Sequence, residues 1–100
     1  MALYSGTRAV YATLGASAVD TVILTAPCRS ITILNVSGSA SIYFTVCTPG
    51  GPNVQPTVGG NCFVLPATVG AVAISHDGMF GSVVNLISSG TPAYAVEVTT

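Results

Sequence analysis

The residue types that carry out catalysis are scarce in this chain, and a single run of three suggests a known chemistry. Ser75, His76 and Asp77 are the residue types of a serine-nucleophile triad. Consecutive residues of a strand point to opposite faces, and triad members are brought together by the fold rather than by adjacency in sequence. We therefore expect a hairpin turn with a polar tip at residues 76–78, where Gly accepts a positive φ and Asp tolerates it.

The three cysteines show no spacing that is typical of a reactive site. Cys28, Cys47 and Cys62 are 19 and 15 residues apart, and none forms a CxxC pair. Residues 1–10 have neither the basic nor the apolar region of a secretory signal, so we expect synthesis in a reducing cytosol and free thiols that pack as small hydrophobes. The alternatives are a Cys47–Cys62 disulfide and a metal site that uses His76.

Acid, base and phosphate chemistry find little support in the remaining residues. The acids are Asp20, Asp77 and Glu97, whereas paired-carboxylate catalysis needs two acids roughly 5–10 Å apart. The Gly-Gly pairs at 50–51 and 59–60 lack the Lys-Ser/Thr of a phosphate-binding loop. We therefore expect no enzyme and no cofactor.

Charge is unusually sparse, and this feature indicates an assembly subunit. Five of the 100 residues are charged, against about 25 % in ordinary domains. Electrostatic binding of nucleic acid needs several basic residues, and here only Arg8 and Arg29 exist. A membrane span needs about 20 consecutive apolar residues, which the chain does not contain. Because charged residues are depleted at interface cores, we expect neighbouring subunits to cover much of this surface, with no nucleic-acid or membrane partner.

Val, Thr and Ile dominate the ordered segments, which predicts an all-β fold. We expect one domain over residues 1–100, a compact β-sandwich or barrel (jelly-roll-like or immunoglobulin-like) of seven or eight short strands. The predicted strands cover residues 8–13, 20–25, 29–36, 41–48, 61–66, 71–75, 82–88 and 93–98.

Two segments outside these strands are candidates for contact with other subunits. Residues 1–7 are typical of an N-terminal arm rather than a strand, either anchored on another subunit or tucked under this domain. The Pro- and Gly-rich segment 49–60 is long for a connection in a compact domain, and such loops are often functional or pack on a neighbour. An isolated charge at an interface fixes how the two partners align, so Arg8 and Arg29 are included among the candidates. The candidate assembly contacts are therefore Leu3, Tyr4, Arg8, Arg29, Pro49, Pro52 and Asn53.

Three stretches resemble a known family, the small virion structural proteins of tailed bacteriophages of the capsid-decoration (cement) type. They are residues 41–46 (SIYFTV), 55–66 (QPTVGGNCFVLP) and 84–97 (VNLISSGTPAYAVE). The resemblance implies a protein made in the bacterial host cytoplasm that binds the major capsid protein on the capsid exterior, often as a homotrimer, and stabilises the shell.

Two alternatives of a different kind stay open. Members of that family usually carry more charge, so a position in the tail or the head-tail joint is also compatible with the sequence. A fibre or spike module that binds host glycans is the other alternative, although the chain has no Trp and few acids.

Overall fold

The polypeptide folds as a β-sandwich of two antiparallel-rich sheets, as seen in a computed structural model that describes residues 2–60, 62–68 and 70–99. In these residues there are nine strands and no helix. The strands are β1 (Ala2–Gly6), β2 (Ala9–Thr13), β3 (Asp20–Leu24), β4 (Cys28–Asn35), β5 (Ile42–Cys47), β6 (Phe63–Leu65), β7 (Ala71–Gly78), β8 (Ser82–Ile87) and β9 (Ala93–Thr99).

The two sheets divide the strands in a way that local sequence does not reveal. One sheet has five strands in the order β1-β3-β8-β5-β6, and the other has four in the order β2-β9-β4-β7. All pairings are antiparallel except that of β1 with β3. Because β1 and β2 belong to different sheets, the chain crosses from one layer to the other within residues 7–8.

Alternating apolar side chains from both sheets form the core. Ile31 and Ile33 point inward from β4, and Ile42 and Phe44 point inward from β5, as their alternation with polar residues predicts. The all-β prediction is therefore confirmed, and the fold is a sandwich. The largest fully buried side chain is Tyr94 of β9.

The N-terminal arm is the main error of the sequence-based prediction. Residues 2–6 form β1, which pairs in parallel with all five residues of β3. The short strand was missed because its partner lies 18 residues away, and parallel pairing leaves no local turn signal. This strand raises the count from the predicted seven or eight to nine. Met1 lies outside the described residues.

The predicted turn at residues 76–78 is also wrong, because β7 continues through Gly78. Gly81 donates a hydrogen bond from its N–H to the carbonyl of Gly78, so the turn follows the predicted one in the chain and has Met79 and Phe80 at its centre. Gly78 is required for space: a Cβ there would lie 2.5 Å from Cys28 Sγ and 2.8 Å from Ser82 Oγ. The other predicted strands are found with small shifts at their ends, and Asn61, the first residue of the predicted 61–66 strand, lies outside the described residues.

Candidate assembly surfaces

The outer face of the five-stranded sheet is partly covered by the chain's own long loop. Along one row of this face the outward residues are Leu3, Thr21, Asn85 and Thr45. Asn85 is completely buried there, although it points away from the sandwich core. Its burial means that the loop after β5 lies over the centre of this face.

Asn85 fixes that loop through its side-chain amide. Its Nδ2 donates to Asn53 Oδ1 at 2.6 Å and to the carbonyl of Val54 at 3.3 Å, and its Oδ1 accepts from Thr21 Oγ1 at 2.7 Å. Thr45 Oγ1 also donates to the Val54 carbonyl. The segment that the sequence suggested for contact with a neighbour is therefore held, at residues 53–54, on its own sheet.

The candidate contacts Leu3 and Asn53 lie together, whereas Tyr4 lies elsewhere. Leu3 is 64 % exposed, and it lines a cleft of about 340 Å³ with Asn53 and Gly51. Tyr4 points to the other side of β1 and packs against the hydrophobic core. Tyr4 is thus a structural residue in this fold, whereas Leu3 lies on the exposed side of β1, as Ser5 does.

The two arginines and Pro49 lie near one end of the sandwich. The backbone carbonyl of Arg8 accepts a hydrogen bond from Val98 near the end of β9, and both arginines are exposed. Arg29 lines a small cleft with Asp77 and Met79, and Pro49 lines a cleft beside Met79 and Phe80. Pro52 contributes instead to a cavity with a volume of about 600 Å³.

The outer face of the four-stranded sheet carries mostly small side chains and little charge. In register, one row across it consists of Tyr11, Ala95, Leu34 and Ala71. The next row consists of Ala9, Glu97, Thr32 and Ala73. Five of the eight side chains in these rows are Ala or Thr, and within these rows Glu97 is the sole charge. We call these two rows the flat face.

The fold does not bring Ser75, His76 and Asp77 together, because they alternate along β7, whereas His76, Cys47 and Cys62 line one cavity. Ser75 and Asp77 are exposed on one side of β7, and His76 points to the other side with its Nε2 buried and without a hydrogen-bond partner. The cysteines are free; Cys28 and Cys47 are buried and Cys62 is partly exposed. Residues 2–60, 62–68 and 70–99 contain no group of three His, Cys, Asp or Glu side chains that could hold a metal ion.

One acid is buried, and its partner shows that it has a structural role. Tyr94 Oη donates a hydrogen bond of 3.0 Å to Asp20 Oδ2 between the two sheets. Burial raises the pKa of the Asp20 carboxyl, and the hydrogen bond from Tyr94 opposes this shift. Burial and the Asp20 carboxylate both raise the pKa of the Tyr94 phenol. The pair is sealed from solvent, since Asp20 and Tyr94 are 3 % and 0 % exposed.

Sequence reasoning missed three prominent surface residues. Tyr11 is 67 % exposed on the flat face, and Met79 and Phe80 are 65 % and 84 % exposed at the tip of the β7–β8 hairpin. A signal for the last two was available: Gly78 and Gly81 bracket two apolar residues, and glycines spaced in this way are typical of a tight turn. His76-Asp77-Gly78 obscured it, because those residues also fit a turn.

Comparison with known proteins leaves the family open: no protein-family model matches this sequence, and neither the curated proteins nor the solved structures include a match. Among the described residues, no helix has the length and apolar character needed to cross a membrane.

Proposed function

We propose that this chain is a non-enzymatic virion structural protein of a tailed bacteriophage, a capsid decoration subunit that binds the major capsid protein on the outer lattice. The observation that carries the proposal is the flat face. Its Ala and Thr side chains allow another surface to approach the sheet closely, Tyr11 and Leu34 supply larger apolar groups within one row, and Glu97 is the sole charge of the two rows. Tyr is among the residue types that contribute most to binding at interfaces.

The excess of exposed apolar side chains over exposed charged ones supports the same role. Nine large apolar side chains are exposed in the described residues, whereas only Arg8, Arg29, Asp77 and Glu97 are exposed and charged. Large exposed apolar areas are typical of interaction sites. Residues 41–46, 55–66 and 84–97 resemble small virion proteins, and this resemblance supports a virion as the assembly to which the chain belongs.

The protein would act only by binding, through non-covalent contacts with the capsid subunits. A stable interface buries roughly 800 Å² on each partner, which is about a sixth of the 4,988 Å² surface of this chain. Each copy has enough surface to contact two adjacent capsid subunits, and contacts made together strengthen one another through effective concentration. Bridging of neighbouring subunits would stabilise the shell.

A matched pair of variants tests the flat face. Ala73→Glu adds a carboxylate to an exposed position of the flat face on edge strand β7, and Ser5→Glu adds one to an exposed outward position of edge strand β1. We expect Ala73→Glu to weaken binding to capsids that lack the protein by at least tenfold, because the added charge must be desolvated. Ser5→Glu should bind like the wild type. Equal binding of both variants would remove the flat face from the proposal.

A further inference from the structure

The tip of the β7–β8 hairpin holds two large apolar side chains away from the domain. Central positions of two-residue hairpin turns favour Asn, Asp and Gly, so Met79 and Phe80 are not required by the turn itself. The flanking glycines provide the geometry: Gly81 has a φ of +101°, and a Cβ on it would lie 2.7 Å from the carbonyl oxygen of Leu24. We call Met79 and Phe80 the apolar finger.

A cavity of matching character lies beside the finger. It has a volume of about 600 Å³, and its lining includes Val46, Cys47, Val54, Cys62, Phe63 and His76, with no charged residue. It exists because β6 is short: it pairs with Ile42, Tyr43 and Phe44 of β5, and residues 45–47 face the cavity instead. The volume lies within the range of about 300–1,000 Å³ that is usual for binding pockets. We call this cavity the socket.

The finger and the socket are neighbours on the surface. Thr48 lines both the socket and the cleft beside the finger, and β7 supplies His76 to the socket three residues before the finger begins. In a two-fold pair, any contact from one copy to the other is repeated in reverse. A two-fold axis between finger and socket would therefore place each finger in the socket of the other copy and would close the assembly at two chains.

We propose that two copies of this chain associate by exchanging apolar fingers, with Phe80 and Met79 of each copy inserted into the socket of the other. The contact removes the most exposed apolar side chain of the described residues from water. It fills a cavity whose lining contains no Asp, Glu, Lys or Arg with two apolar side chains. Both halves of the interface are present on one chain, which makes a second copy the occupant that the structure favours. The inference concerns the purified chain and does not depend on binding to a capsid.

Sedimentation velocity over a concentration series tests the association. We expect the wild type to reach the mass of two chains, and Phe80→Ser to weaken the pairing at least tenfold. Tyr11→Ser is the matched control, because it removes an aromatic side chain of comparable exposure from the flat face. It should pair like the wild type. A wild type that stays monomeric at millimolar concentration, or a Phe80→Ser variant that pairs normally, would overturn the proposal.

Cys62 reports separately on whether the socket is occupied. It is the partly exposed cysteine of the socket, whereas Cys28 and Cys47 are buried, so a maleimide should react with Cys62 first. We expect its alkylation to slow as the wild-type concentration rises, and to be independent of concentration in Phe80→Ser. Pairing without protection of Cys62 would show that the finger docks elsewhere, and the exchange would be rejected.

Discussion

At the scale of single residues, Gly78 shows how closely β4, β7 and β8 approach one another. Cys28 Sγ and Ser82 Oγ are 3.3 Å apart beside it, and both atoms occupy the space that a Cβ would need. A glycine that appears to serve a turn in the sequence thus serves packing in the fold. Its neighbour Gly81 takes the positive φ instead.

Gly78→Ala should therefore destabilise the domain. We expect a loss of about 1–3 kcal/mol in the free energy of unfolding, which is the usual cost of overpacking, measured by chemical denaturation. Gly70→Ala is the control, because a Cβ at Gly70 has no neighbour within 4 Å and its φ is not positive. The control should be neutral, and equal losses in both variants would contradict the packing role of Gly78.

The buried Asp20–Tyr94 pair makes the stability of the fold depend on pH. Because the pKa of Asp20 is raised in the folded state, the folded chain holds this proton more tightly than the unfolded chain. Stability then falls as pH rises from the unfolded pKa of 3.8 through the raised folded pKa. Below this window the protonated carboxyl carries no such cost.

Asp20→Asn should remove this dependence, because the amide oxygen can still accept the Tyr94 hydrogen bond but does not ionise. When unfolding is measured between pH 3.5 and the neutral range, we expect the variant to lose the decline in stability that Asp20 causes. Asp77→Asn is the control at an exposed acid. An Asp20→Asn profile that parallels the wild type would show that Asp20 is not the group responsible.

At the scale of elements, the loop after β5 is a layer of the domain rather than a free appendage. Asn85 is its anchor, since it joins Asn53 and Val54 of the loop to Thr21 of β3. Pro56, farther along the same loop, is also buried. What remains free for a partner is the outer side of the loop, where Pro49 and Pro52 are exposed.

Asn85→Ala should both release the loop from the sheet and lower the free energy of unfolding. Loss of a buried, hydrogen-bonded amide costs about 1–3 kcal/mol, and amide exchange across residues 50–56 should accelerate. Asn53→Ala removes only the loop partner, so it should accelerate the same exchange at a smaller cost in stability. Unchanged exchange in Asn85→Ala would mean that other contacts hold the loop.

The elements also show what a sequence can and cannot predict here. Alternation predicted the inward faces of β4 and β5 because each strand has one buried face, as for Ile31 and Phe44. It could not predict the parallel pairing of β1 with β3 or the crossing between sheets, since both depend on contacts distant in sequence. Leu3 and Asn53 were chosen as separate contacts, and only the fold brings them to one cleft.

At the scale of the whole molecule, the all-β class was predictable because the alternation of apolar and polar residues runs through most of the chain. The expectation that neighbouring subunits cover the surface rests on the sparse charge of the sequence and stays a prediction. The identity of the surfaces was not predictable, because the flat face combines residues of four strands. The finger and the socket likewise combine β5, β7 and the loop between β5 and β6.

At this scale β1 also limits how the assembly can be tested. Deletion of residues 2–6 would remove an edge strand and the core contact of Tyr4, so a loss of binding could not be separated from a loss of folding. Leu3→Ser changes the exposed side of the strand and leaves its pairing intact. This variant therefore tests whether the cleft that Leu3 and Asn53 line takes part in binding.

The copy number of this chain in purified phage particles tests the central proposal most directly. It can be measured by quantitative mass spectrometry against the major capsid protein of the same particles. A decoration subunit is expected at a ratio of about one to one, or at a simple lattice fraction of it, because each copy occupies a repeated site. A few copies per particle would contradict decoration and point to the tail, joint or spike, and absence from the particles would contradict a virion role altogether.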